Sequence, residues 1–342
     1  MKNESRTTYL LPVLGTLLIV ALMTGLAEGL GDREILFPEI AALAIGYLCA
    51  PKRKWQVDSL RMFVLITGCA AAGFAISCLM PGPLGLKLIL AFVLAQIVFL
   101  FSGTSLAPMI SAVVLPVLIG TQSWLYVLSA SGMTLLVILF HALFVRRGIR
   151  REEPFRKKPL PDIRAAERFL FRTAVFALLL VPALQNDLLF VVAPPLLVAF
   201  TEWTESERTE PASDSVRKVV LIASCALIGA GCRLLFTVQL GLPLMVSAAL
   251  ATLIAARIMI RTGRFLPPAG ALTLLAMLIP EQALLLYPVE AALGALVLML
   301  ATRVMKQAEY RNAIRRRARR LGPVWRMNIA GVPARVNRNE RI

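Results

Sequence analysis

Long apolar runs that are almost free of charged residues constrain this chain more than any other feature. A helix of roughly 20 apolar residues is needed to cross a hydrocarbon core about 30 Å thick. Five runs reach or approach this length and cover residues 10–26, 62–80, 84–101, 125–145 and 284–302. Hydrophobic residues make up 58% of the chain, above the roughly 45–50% that is typical of soluble domains. The sequence therefore predicts an all-α, polytopic membrane helical bundle with little chain left for a separate soluble module.

The distribution of basic residues predicts how such a bundle lies in a membrane. The net charge is +17, and a division into about 12 apolar segments places every Lys and Arg except Arg33, Lys87 and Arg233 in the loops and termini of one side. Cytoplasmic loops carry an excess of basic residues of this kind. We therefore expect a multi-pass protein of the cell inner (plasma) membrane, with both termini in the cytoplasm.

Residues 303–342 form a strongly basic tail. Basic residues just past a span are attracted to anionic lipid headgroups, with about 1 kcal/mol each. Few aromatic residues interleave with them, so we do not expect nucleic acid as a partner. The expected partners are the lipid bilayer, anionic headgroups at the tail, and a small-molecule or anion substrate. A homo-oligomer is left open.

The two halves of the chain resemble each other. A shift of 156 residues aligns residues 60–90 with 216–246 without a gap and gives twelve identical pairs, among them Gly73/Gly229 and Gly85/Gly241. We therefore predict two parallel repeats of six segments each, related by an axis along the membrane normal, as in the halves of some transporters. The predicted domains are a first repeat (1–148), a basic cytoplasmic linker (149–166), a second repeat (167–306) and a basic tail (307–342).

Two pairs of segments are short and rich in proline, and they lie at matching places in the two halves. They cover residues 35–50 with 188–200, and 103–120 with 263–280. Proline inside a helix leaves a carbonyl without its partner, and short, broken segments at matching positions are the best sequence indication of a transporter's substrate site. The alternative is that these prolines only kink packed helices. The candidate substrate-binding residues from these segments are Pro108, Pro194, Pro195, Pro267, Pro268 and Gly270.

The run Leu266-Pro267-Pro268-Ala269-Gly270-Ala271 resembles the His-Pro-Pro-Ala-Gly-Ala signature of HPP-type integral membrane proteins. A degraded copy lies at residues 103–108, so the chain resembles two fused HPP-like units. The resemblance implies transport of a small anion such as nitrite. Leu266 and Leu106 stand where the family has histidine, which is a departure at the defining position. The duplicated layout also looks like that of fusaric-acid-resistance-type exporters, although this resemblance is weaker.

Three ionisable residues lie within or beside the apolar segments and are further candidate substrate-binding residues, because burial of a charge is costly. We expect Arg233 to snorkel from a helix end to the surface, with a position facing an anion-binding cavity as the alternative. We expect Glu39 to be exposed near the surface. Glu290 is the strongest single candidate, either paired with Arg233 or relaying a proton.

The remaining patterns narrow the function classes. The 5 cysteines and 1 histidine have no metal-ligand spacing, and no nucleophile stands near a base, so we predict no metal, no cofactor and no enzyme activity. Small residues at 70–73 and 229–231 are expected to let helices approach closely. The leading hypothesis is a secondary transporter of a small solute, an anion by family resemblance. The alternatives are a non-transporting scaffold that presents its basic tail to lipid or protein, and an exporter of fusaric or aromatic acids.

Overall fold

The computed structural model describes residues 4–206 and 211–320, with side chains described for 9–206 and 211–311. Within these residues the chain is helical and contains no strand. The eight longer helices are α1 (Glu4–Gly29), α3 (Ser59–Leu79), α4 (Leu84–Phe101), α6 (Leu125–Arg146), α7 (Ile163–Gln185), α9 (Ala212–Cys232), α10 (Leu244–Thr262) and α12 (Tyr287–Arg320). The four short helices are α2 (Glu39–Ala44), α5 (Pro108–Ile119), α8 (Pro194–Glu205) and α11 (Pro267–Leu278). The described chain divides into a first unit that ends at Met299 and a second unit that begins at Leu300.

Seven helices of the described part are long and apolar enough to cross a membrane. They are Tyr9–Gly29, Ser59–Leu79, Leu84–Phe101, Leu125–Arg146, Ala212–Gln239, Leu244–Thr262 and Tyr287–Arg311. This finding supports a multi-pass membrane protein but does not confirm the predicted twelve crossings. At a rise of about 1.5 Å per residue, a 12-residue helix such as α5 or α11 extends only about 18 Å, short of the hydrocarbon core.

The four short helices form the buried centre of the first unit. Every residue of Pro108–Leu118 in α5 and of Pro267–Met277 in α11 is buried. The short helices contact one another in a closed ring, in which α2 packs on α11, α11 on α8, α8 on α5 and α5 on α2. Around this ring, α3 and α4 pack on α5, while α9 and α10 pack on α11.

The outer helices point large apolar side chains away from this centre. On α1, for example, Leu14, Leu18 and Leu22 are 50%, 59% and 45% exposed. Contiguous exposed leucine of this kind marks a surface that meets lipid or another protein. The arrangement explains why the sequence is apolar well beyond the needs of its core.

Two glycines at matching places in the two halves allow close helix contacts, as the small-residue patches predicted. A Cβ at Gly73 of α3 would overlap the Val113 carbonyl of α5, and a Cβ at Gly229 of α9 would overlap the Thr273 carbonyl of α11. The prediction that these patches serve packing is confirmed. Any larger residue at either glycine would push the helix pair apart.

The prolines of the short segments begin helices rather than break them, which corrects our expectation. Pro108 stands at the start of α5, Pro194 and Pro195 begin α8, and Pro267 and Pro268 begin α11. Proline is favoured at this position because the first N–H groups of a helix have no internal partner in any case.

Pro116, inside α5, is the exception among the short helices. A proline there cannot bond the Ala112 carbonyl four residues earlier. The Tyr126 hydroxyl donates to that carbonyl at 3.1 Å. The freed carbonyl is therefore satisfied by a neighbouring helix rather than by solvent.

The 156-residue register fails beyond α3. Pro83 and Pro243 are the N-cap residues of α4 and α10, and they are 160 residues apart. The four additional residues lie where α9 continues into the π-helical stretch Arg233–Gln239. Gly85 and Gly241 are therefore not structurally equivalent, although they align in the gapless comparison.

Candidate functional site

The helices deliver their loops alternately to two ends of the first unit. We call the end that holds residues 50–58, 102–107, 147–162 and 263–266 the basic end. Its loops are joined by direct hydrogen bonds: Arg53 N donates to Glu153 Oε1 at 3.0 Å, and Lys158 N donates to the Gly103 carbonyl at 2.8 Å. We call the end that holds residues 30–38, 120–124, 186–193 and 279–286 the opposite end.

A cavity of about 500 Å³ lies at the basic end. Its wall includes Ala107 and Leu266, which directly precede α5 and α11, so the N-termini of two ring helices meet the cavity. Lys54 and Arg217 in its lining are exposed, so the cavity opens to the surface. The charged and aromatic lining residues are Lys54, Trp55, Phe99, Lys158, Glu202, Trp203, Glu205, Arg217, Lys218, Arg264 and Phe265.

Five basic and two acidic side chains line this cavity, and the acids are already engaged. Glu205 accepts from Arg172 Nη1 at 2.9 Å and lies 3.7 Å from both Lys158 Nζ and Arg168 Nη1. Burial alone would raise the pKa of Glu205, but Arg172, Lys158 and Arg168 together hold it below its ordinary value. The Glu205 carboxylate is therefore ionised and neutralised by its neighbours.

The second acid, Glu202, accepts a hydrogen bond from the indole of Trp55. Trp55 Nε1 donates to Glu202 Oε1 at 2.8 Å, and burial raises the pKa of this carboxyl above its ordinary value despite that bond and the nearby Lys54. Five basic side chains against these two engaged acids leave the lining net positive. The lining therefore favours anions.

Trp203 also lines the cavity. Its side chain is 5% exposed, and within the described residues its Nε1 is buried and has no hydrogen-bond partner. Buried donors of this kind are rare, because leaving one unpaired costs about 1–3 kcal/mol. This N–H does not reach the open part of the cavity.

The opposite end is closed by side chains that bond to backbone groups. Glu34 accepts from the backbone N–H groups of Gln122, at 3.0 Å, and of Ser123, at 2.6 Å. Ser77 of α3 donates to the Thr121 carbonyl at 2.9 Å. These bonds fix the loop after α5.

Arg233 belongs to this closure, and the expectation that it snorkels to the surface was wrong. Its side chain is 2% exposed, and Nη1 donates to the carbonyls of Ala276, at 2.7 Å, and Ile279, at 2.5 Å. The last carbonyls of a helix have no internal donor. The guanidinium satisfies the end of α11, and this is the reason that it is buried.

Glu290 also lies at the opposite end, in the first turn of α12. It is 3% exposed and accepts from the backbone N–H of Phe190 at 2.8 Å. It ties α12 to the turn before α8 and forms no ion pair with Arg233, whose guanidinium binds carbonyls. The predicted pairing of these two residues is therefore not observed.

Glu39 lies inside the ring, and the expectation that it is exposed was wrong. Its side chain is 1% exposed, and the Ser111 hydroxyl of α5 donates to its Oε1. The residue is enclosed because α2 packs between α11, α5 and α6. Sequence position beside a loop did not reveal this enclosure.

The sequence-predicted site residues do not form one site. The residues before Pro108 and Pro267 line the cavity, Gly270 packs against Ile45 beside α2, and Pro268 follows Pro267 in the first turn of α11. Glu290, Arg233, Pro194 and Pro195 lie at the opposite end. The basic tail proposed to bind lipid lies outside the described side chains from residue 312 onward.

Sequence reasoning missed the residues that line the cavity. A signal was present in two dipeptides, Lys54-Trp55 and Glu202-Trp203, each placed just past a short apolar segment. A charged residue beside tryptophan is an unusual end for an apolar run. Its recurrence in both halves would have indicated a shared polar site.

Comparison of the chain with protein-family models, with curated proteins and with solved structures finds no match. The resemblance to HPP-type proteins therefore stays a prediction that rests on the motif alone.

Proposed function

We propose that this protein is a secondary transporter of a small anion, with the cavity at the basic end as its substrate-binding site. The observation that carries this proposal is the open cavity of about 500 Å³, with its excess of basic side chains and its position at the N-termini of α5 and α11. In the described state the site is open at the basic end and closed at the opposite end.

The chemistry of the cavity supports an anionic substrate. The N-terminus of a helix carries roughly half a positive elementary charge, and two such ends, α5 and α11, meet here. Lys54 and Lys218 add full charges around them, while the charge of Arg264 is paired with Asp214 at 2.9 Å. Together the helix ends and the two lysines form a site for one or more anionic oxygens.

Matched contacts in the two halves support a repeat architecture for this transporter. Tyr126 donates to the Ala112 carbonyl of α5, and Tyr287 donates to the Leu272 carbonyl of α11 at 2.6 Å. Gly73 of α3 packs on α5 in the first half, and Gly229 of α9 packs on α11 in the second half. A rocking motion of one repeat against the other would expose the site to alternate sides.

The motif suggests which solute to test first. Leu266, which takes the histidine position of the HPP-like motif, lines the cavity, so a change at this position acts directly on the site. Nitrite is therefore the first candidate substrate, and other small oxyanions and small carboxylates are the next candidates. By the positive-inside rule we place the basic end on the cytoplasmic side of the plasma membrane.

The test is solute flux into proteoliposomes with nitrite, nitrate, formate and benzoate as probes. The double variant Lys54→Gln/Lys218→Gln removes two cavity charges, and Lys52→Gln, an exposed residue outside the cavity lining, is the matched control. We expect saturable flux of at least one anion, reduced at least tenfold in the double variant and unchanged in the control. Flux of none of the four by a folded protein would favour the non-transporting scaffold, with residues 307–342 as its lipid-binding part.

A further inference from the structure

The buried carboxyl of Glu39 has little to stabilise a negative charge. Its Oε1 accepts from the Ser111 hydroxyl, and its own backbone N–H is the other donor beside it. Oε2 has no hydrogen-bond partner within the described residues. A carboxylate at this depth, without a cation, is much less stable than its protonated form.

The surrounding elements supply no cation. Neither α5 nor α11 contains an ionisable residue over its length. From α6 and α12 the groups that face Glu39 are the hydroxyls of Tyr126 and Tyr287, and both donate to backbone carbonyls. Among the described residues no salt bridge includes Glu39.

The other titratable groups of the packed elements are directed elsewhere. On α1, Glu28 accepts from the Leu244 backbone N–H at 3.0 Å. On α6, His141 packs against Tyr47 with 4.5 Å between ring centroids. In the π-helical turn Ile45–Cys49 that follows α2, the Cys49 thiol lies 3.4 Å from Thr16. Glu39 is thus the one acid in the described part of the ring without a compensating partner.

The position of Glu39 connects it to the cavity. Its partner Ser111 lies four residues after Ala107, and residues four apart share one face of a helix. Ala107 lines the cavity, so Ser111 lies one turn beneath the cavity wall, about 6 Å along the axis. The helices in contact here, α2 with α5 and with α11, come from both halves of the chain.

From this geometry we infer that Glu39 is a proton-binding site that couples proton movement to anion transport. The inference rests on the proposed transport function. A proton enters from water on one side, binds Oε2 and leaves to the other side when the halves change position. Ser111 is a positioning residue that orients the carboxyl, and no covalent bond changes.

The first test measures the proton and needs no substrate. Infrared spectra of the purified protein in D₂O, recorded across a pH titration, report the carboxylic-acid C=O band of protonated side chains. We expect a band of a buried acid that is absent in Glu39→Gln and retained in the control Glu290→Gln, whose carboxylate is satisfied by a backbone N–H. Ser111→Ala is expected to shift the frequency of this band. A Glu39→Gln spectrum that keeps the same buried-acid band as the wild-type protein would overturn the inference.

The second test separates coupling from transport, with whichever of the four probes shows flux. In Glu39→Gln we expect accumulation driven by a pH gradient to fall at least tenfold, while exchange of labelled for unlabelled anion at equal concentrations keeps at least half its rate. Gradient-driven accumulation at the wild-type rate would contradict the role of Glu39. Loss of exchange in the wild-type protein itself would instead contradict the proposed function, and the infrared result would still decide whether Glu39 holds a proton.

Discussion

The two ends of the first unit are built from the same helices but use their charges differently. At the opposite end the charged side chains bond to the backbone: Glu34 and Glu290 accept from N–H groups, and Arg233 donates to carbonyls. These bonds hold the loops together. At the basic end Glu153 and Arg150 also bond to backbone groups, but Arg172 and Glu205 pair with each other at 2.9 Å beside a cavity that opens to the surface. The two ends therefore differ in the open cavity of the basic end, while bonds between side chains and backbone hold the loops of the opposite end together.

The two halves of the chain close the opposite end with different side chains on corresponding helices. In the first half, Ser77 of α3 caps the Thr121 carbonyl after α5, and in the second half Arg233 after α9 caps the end of α11. A neutral hydroxyl and a guanidinium thus perform one task at corresponding places. The guanidinium bond is the stronger one, so we expect the second half to be closed more firmly.

The largest effect is expected at the basic end, from Arg172→Met. Arg172 is fully buried and bonds Glu205 at 2.9 Å, so the variant leaves a carboxylate without its main partner. Loss of one member of a buried pair costs about 3–5 kcal/mol, and the free energy of unfolding, measured by SDS titration in mixed micelles, should fall by that amount. The control is Arg61→Met, whose exposed pair with Asp58 should contribute under about 1 kcal/mol. Equal effects of the two would show that the cavity acids need no buried cation.

At the opposite end, Arg233→Met is expected to have the next largest effect. The variant removes the donor to the Ala276 and Ile279 carbonyls, and a hydrogen bond to a charged group contributes about 1.5–3 kcal/mol. The same titration should show a loss of about 2–3 kcal/mol, against about 1 kcal/mol for Ser77→Ala at the corresponding place. A larger loss for Ser77→Ala would reverse the order of the two halves.

Glu34→Gln tests the closure itself with a smaller energetic effect. A neutral amide oxygen accepts more weakly than a carboxylate from the two N–H groups that Glu34 now binds, so we expect a loss of about 1 kcal/mol and a looser loop. Labelling of Gln122→Cys by a water-soluble maleimide, with and without Glu34→Gln, measures the loosening. An unchanged labelling rate would mean that other contacts close this end.

The smallest effect concerns pH. Because the pKa of Glu205 is below its ordinary value of 4.5 in the folded protein, its ionised form stabilises the fold. That stabilisation is fully present above pH 4.5 and is lost as the pH falls through the lower, folded pKa. The melting temperature should decline over this acidic interval in the wild-type protein and less steeply in Glu205→Gln. Parallel declines in both would assign the pH dependence to other groups.

The sequence predicted the positions of the long helices well, but it predicted poorly which polar side chains are buried. The apolar runs located α3, α4 and α6 within a few residues, because length and hydrophobicity alone define a span. Glu39 and Arg233 were expected to reach the surface but are buried, since only the packing of α2 and α11 decides which way they point.

The cavity was beyond sequence reasoning for a different reason. Its lining comes from separate stretches around residues 54, 105, 158, 203, 217 and 265, and no local pattern joins them. Two proline motifs, at Pro108 and at Pro267-Pro268, begin helices whose N-termini meet the cavity, whereas Pro194-Pro195 begins α8 at the opposite end. The motifs did not indicate that the charged lining side chains come from other segments of the basic end.

The most direct test of the open and closed ends is the labelling of two single cysteines by a membrane-impermeant maleimide, in a background without native cysteines. Ser206→Cys lies in the cavity lining at the basic end, and Thr121→Cys lies in the fully buried closure of the opposite end. We expect rapid labelling of Ser206→Cys, slowed by the transported anion, and at least tenfold slower labelling of Thr121→Cys. Equal rates at the two positions, unaffected by any anion, would contradict a substrate cavity that opens at the basic end alone.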